Sequence, residues 1–188
     1  AENTFAYEVT RLPAPEKPKL TVDELIEVSV ADDHFTVTFT VTHDKDLEYL
    51  EIDHNLGKHG SVPYEERLPE FKLYPNKDNA WAPTDMNESE ANERRNNAIA
   101  QGLEATYDAE TKTWNLTFGK PVLDQIKVLT AKFTDNEFKI YSVVRDVEGV
   151  QSGSMLDGSY EITVVKLAKM EEPVEPSIPM LTVIGPDE

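Results

Sequence analysis

Cysteine is absent from the 188 residues. That excludes disulfides, thiolate zinc sites, covalent haem and a cysteine nucleophile. No apolar run approaches the about 18 residues that a membrane-spanning helix needs. Basic residues are scarce: 18 Lys and Arg stand against 36 Asp and Glu, a formal charge of −18. Such a surface repels a phosphate backbone and gives no reason to expect nucleic acid or an anionic membrane as a partner. Glycine-rich phosphate loops and a Gly-x-Ser-x-Gly elbow are missing too, since Gly153-Ser154 has Ser152 and Met155 as neighbours. With 9% aromatic residues, few are left to line a deep cleft. No residue set names a reaction, and the chain reads as non-enzymatic.

What is present is period-two alternation. Phe35, Val37, Phe39 and Val41 alternate with Thr36, Thr38, Thr40 and Thr42, the pattern of a half-buried strand with one dry face. A second strand over 47–52 follows a polar turn, and further strands are expected at 103–107, 113–118, 126–133, 138–145 and 160–167. Residues 108–112 join two of these as a hairpin. One polar helix is expected over 85–101, with Thr84 or Asp85 as its cap and Gly102 as its stop. Short strands with polar turns at regular spacing indicate an all-β antiparallel sandwich. The expected organisation is an N-terminal extension and proline-rich spacer over 1–19, a β-sandwich over 20–168 with a long insertion at 54–102, and a Pro/Glu-rich linker with a C-terminal strand over 169–188.

The piece from Ile140 through Arg145, Asp146 and Gly149 to Ser152 resembles the late strand and turn of bacterial secreted immunoglobulin-like and fibronectin type III-like surface domains, and 35–53 resembles their facing hairpin. About half the chain carries the resemblance. It implies an immunoglobulin-like fold and no activity, because that architecture hosts many functions. The antibody landmarks that need a cysteine pair are missing.

Both ends carry short apolar segments beyond proline-rich spacers. Phe5, Tyr7 and Val9 precede Pro13, Pro15 and Pro18, while Pro173, Pro176 and Pro179 precede Met180, Leu181, Val183 and Ile184. Prolines hold a spacer extended, and a free apolar strand seeks a sheet edge. The expected mode of assembly is therefore strand addition between copies, giving filaments or layers of a structural or adhesion protein. The start at Ala1, without a methionine, fits either a cleaved secretory precursor or a trimmed chain, and the favoured reading is of a secreted cell-surface protein.

Other candidate chemistry is of three kinds. Carboxylates gather at strand ends, and Asp44, Asp46, Asp146 and Glu148 supply the oxygen ligands that calcium needs. His54 and His59 offer nitrogen donors to a transition metal, against the plain alternative of solvated loop histidines. Tyr64, Tyr74 and Trp81, with Trp114, can form a stacking platform for surface glycans, against the alternative that they pin the insertion to the sandwich. A glycan- or metal-binding accessory module using the insertion is thus the rival to assembly. Asn87 and Asn115 head glycosylation triplets.

Overall fold

The computed structural model describes residues 13–57, 62–63, 67–68, 71–75 and 99–168. In chain order the elements are β1 (Lys19–Val22), β2 (Leu25–Val28), β3 (Phe35–Thr42), β4 (Leu47–His54), β5 (Phe71–Leu73), β6 (Leu103–Asp108), β7 (Thr113–Phe118), α1 (Lys120–Thr130), β8 (Glu137–Asp146) and β9 (Glu161–Leu167). One sheet runs β1-β3-β7-β6 and the other β2-β9-β8-β4-β5. With β1, β3, β4, β6, β7, β8 and β9 taken as seven core strands, the first, second, fifth and fourth share one sheet and the third, sixth and seventh the other. That is the immunoglobulin arrangement, with β5 as an added strand beside the third. The chain is an immunoglobulin-like β-sandwich.

Alternation in β3 builds the core as expected. Val37 and Phe39 are fully buried and Phe35 and Val41 nearly so, while the threonines between them face outward. β7 answers with Trp114, Leu116 and Phe118, and the opposite sheet with Leu50, Ile52, Phe138, Ile140, Val144 and Val165. Phe35 stacks on Phe118 at 4.6 Å between ring centroids, and Phe138 meets Phe118 edge-on at 5.6 Å from across the sandwich. Each such side chain contributes about 1.5–3 kcal/mol by burial.

Three features depart from expectation. The strand expected over 126–133 is the last part of α1 and the turn after it. Gly119 caps the helix in an extended conformation, Pro121 fits its first turn, and Val122, Leu123, Ile126 and Leu129 form a buried stripe of helical period. Gly119 must be glycine because a Cβ there would stand 2.7 Å from the carbonyl oxygen of Gly102, whose own φ of +84° also favours glycine. Second, the sandwich is not wholly antiparallel. The chain leaves the first sheet after β1, and β2 pairs in parallel with β9, Leu25 opposite Val164. Third, the stretch expected as an insertion contributes β5, which pairs antiparallel with β4, and packs Leu56, Val62 and Leu68 into the core. Of the helix expected over 85–101, only 99 onward is described; residues 99–100 are helical, and the Gly102 amide donates to the Ile99 carbonyl at 2.9 Å.

Replacing Phe39 by Ala is expected to lower the free energy of unfolding in urea by about 3–5 kcal/mol through cavity formation. The outward Thr38→Ala, one residue away, should cost under about 1.5 kcal/mol, the scale of one part-exposed hydrogen bond.

Candidate functional site

Three turns meet at one pole of the sandwich: β3 to β4, β6 to β7, and β8 to β9. Their common centre is a buried ion-pair geometry. The His43 imidazole is 1% exposed and the Asp146 carboxylate 0%, with Nε2 to Oδ2 at 3.0 Å. Asp146 Oδ1 accepts the amides of Glu148 at 2.9 Å and Val150 at 2.8 Å, folding the chain into the tight turn that Gly149 completes with φ +87°. The Val147 amide donates to the Asp46 carbonyl, tying this turn to the neighbouring one. Lys112, in the left-handed region with φ +50°, extends Nζ to the carbonyls of His43 and Lys45 at 2.7 Å each. Lys45 in turn pairs with Glu148. Burial pushes the Asp146 carboxyl up, but the Val150 amide, the His43 imidazole and the Glu148 amide outweigh it, so its pKa lies below the ordinary carboxylate value.

Asp44, Asp46, Asp146 and Glu148 are therefore brought to the same pole. Both oxygens of Asp146 already have protein partners, and Glu148 faces Lys45, so a calcium ion here would draw chiefly on Asp44 and Asp46. Among the described residues, no group of three or more His, Asp or Glu is arranged to hold a metal ion. His54 is not a loop residue. It closes β4 with its side chain inward, 1% exposed and 5.5 Å from the Phe138 ring, far along the strand from that pole. His59 lies outside the described residues.

Of the aromatic platform, the structure places Trp114 and Tyr74. Trp114 is 1% exposed, in the core against Tyr107 at 4.4 Å, because it shares the inward phase of Leu116 and Phe118. Tyr74 lies edge-on to Tyr49 at 5.8 Å, which pins the chain after β5 to the sheet. Tyr64 and Trp81 fall outside the described residues, as do Asn87 and the terminal residues Phe5, Tyr7, Val9, Met180, Leu181, Val183 and Ile184. Asn115 faces outward on β7, half-buried, its Oδ1 accepting from Thr38 Oγ1 at 3.2 Å.

β1 and β6 bound the first sheet, β2 and β5 the second. β6 is the longest of the four, paired over all six residues with β7 and having no partner on its other side among the described residues.

No family model matches the chain, and no curated protein matches it. Solved structures similar to it include titin M4, 10% identical over 81% of this chain and 96% of that one with a TM-score of 0.37. The SrpA adhesin of Streptococcus sanguinis, as its R347E mutant, is 12% identical over 81% of this chain and 57% of that one, TM-score 0.39. The BIgI domain of the beta protein of S. agalactiae, solved bound to CEACAM1, is 12% identical over 82% and 100%, TM-score 0.37.

Replacing Asp146 by Ala leaves His43 and two amides without their buried acceptor and should cost about 3–5 kcal/mol. Because the folded pKa of Asp146 is depressed, its ionic contribution is complete above the unfolded value and disappears as pH falls through the lower folded one. Urea melts of the parent and Asp146→Asn across the acid range check this: the gap between them should hold above the unfolded carboxylate value, narrow progressively below it, and reach its floor once the lower folded pKa is passed.

Proposed function

We propose that this chain is a non-enzymatic, extracellular protein of the structural or adhesion type, and that its copies join by strand addition. The observation that carries the reading is the edge of β6. Its six residues hold a complete ladder on one side, and alternate side chains, Leu103 and Ala105, are buried while Glu104 and Thr106 face out. An extended apolar segment laid along such an edge gains main-chain hydrogen bonds and continues the same inward and outward phase. The terminal segments fit that description by sequence: Met180, Thr182 and Ile184 share one phase and Leu181 and Val183 the other, beyond a proline-rich spacer that cannot itself pair.

The interior polar chemistry supports the same reading. His43, Asp146 and Lys112 hold three turns together, a structural use of groups that a catalytic site would present to a substrate.

Sedimentation velocity on chains lacking residues 1–12 or 178–188 tests this proposal. At least one deletion should convert large assemblies into a folded monomer with an unchanged melting curve, and Val183→Asp should reproduce the effect of the C-terminal one. Assemblies that persist through both deletions contradict strand addition by the tails.

A further inference from the structure

The outer face of the first sheet is polar along every strand. β1 turns Lys19 and Thr21 outward, β3 and β7 only threonines and Asn115, and β6 Glu104, Thr106 and Asp108. The inner face of β6 is apolar: Leu103 is 1% exposed, Ala105 9%, and Tyr107 packs against the margin of the core and the Trp114 ring. A strand that continues this sheet past β6 therefore needs one apolar phase for the core side and one polar phase for the solvent side.

The two terminal segments differ in just this respect. In the N-terminal one, Phe5, Tyr7 and Val9 share one phase, and Thr4, Ala6, Glu8 and Thr10 the other. In the C-terminal one, Met180 and Ile184 flank Thr182 in one phase while Leu181 and Val183 hold the other, so both faces are apolar. Laid on β6, the C-terminal segment would turn apolar side chains onto a face that has none, whereas the N-terminal segment repeats the single-sided pattern of β3 and β7.

We infer that the strand received by β6 is residues 4–9 of another copy, with Phe5, Tyr7 and Val9 continuing the inner phase of Leu103, Ala105 and Tyr107. The inference rests on the strand-addition reading and names its donor. Tyr7 then sets a large ring beside Ala105, the smallest of the three inner residues. Charge fixes the direction. Run antiparallel with Phe5 opposite Tyr107, Glu8 would face Glu104; run parallel with Phe5 level with Leu103, it faces Thr106 and avoids a like charge directly opposite. The parallel arrangement also suits the connection. β6 ends at the pole of the His43–Asp146 pair and β1 begins there, Lys19 lying opposite Thr42, so residues 10–18 need only cross that pole from one copy to the next. Each sheet thus leads to its donor through β1 and offers its acceptor at β6, the opposite edge, which makes the contact head-to-tail and repeatable.

Sedimentation velocity and amide exchange on the full chain, on Tyr7→Asp and on Val183→Asp test the inference, with circular dichroism melts to check folding. Tyr7→Asp is expected to raise the dissociation constant of the assembly at least about tenfold and to speed exchange at alternate β6 amides, and Val183→Asp to do neither. A synthetic peptide of residues 1–12, added in excess to the parent, should break up the assemblies while keeping β6 protected, and a peptide of residues 178–188 should not. Loss of assembly in Val183→Asp, alone or to the same extent as in Tyr7→Asp, overturns the choice of donor and leaves strand addition standing. Assemblies untouched by both replacements overturn both readings. A monomeric parent whose β6 is already protected by its own residues 1–12, or a Tyr7→Asp chain that dissociates with no change in β6 exchange, overturns the contact of this segment with β6 of another copy.

Discussion

Two sheets with no covalent link between them depend on one constraint: the dry face of β3 must meet the dry face of the opposite sheet in a single phase. Phe35, Phe118 and Phe138 interlock across the gap, with Val37 and Phe39 fully buried beside them. A slip of one residue would turn four threonines inward and two phenylalanines out, so the register is held by the whole core. Everything else follows from that phase. It places the threonine ladder outside.

At the pole with the buried pair, polar groups serve the same end. His43 and Asp146 lie far apart in sequence, one just after β3 of the first sheet and the other at the end of β8 in the second, yet they join directly, and Lys112 closes the third turn onto them. Satisfied polar networks of this kind rigidify a structure at sites where apolar packing thins out. With those groups engaged inside, the proposed assembly rests on the open main-chain ladder of a sheet edge.

Long, strictly alternating segments were legible in the sequence. β3, β7, β8 and β9 and the β6 to β7 hairpin fall where period two puts them. α1 was not, because 126–133 read alone is rich in β-branched and apolar residues, whereas the deciding signals lie upstream in Gly119, Pro121 and the spacing from Val122 to Leu129. β1, β2 and β5 are three or four residues long, too short to show a period, and tertiary pairing forms them. The burial of His54 and Trp114 was within reach: each shares parity with inward neighbours on its strand, Leu50 and Ile52 for one, Leu116 and Phe118 for the other. The His43–Asp146 pair was not, since 103 residues separate its members and no spacing rule spans that distance.

The central claim, that an edge of this sandwich receives a strand from another copy, is tested most directly by amide hydrogen exchange in β6. In a lone sandwich every second amide of Leu103–Asp108 lacks the ladder that its neighbours have through β7. The account predicts that assembly slows exchange at those alternate amides while the β7-paired ones change little. Identical exchange across β6 in assembled and dissociated protein would contradict it.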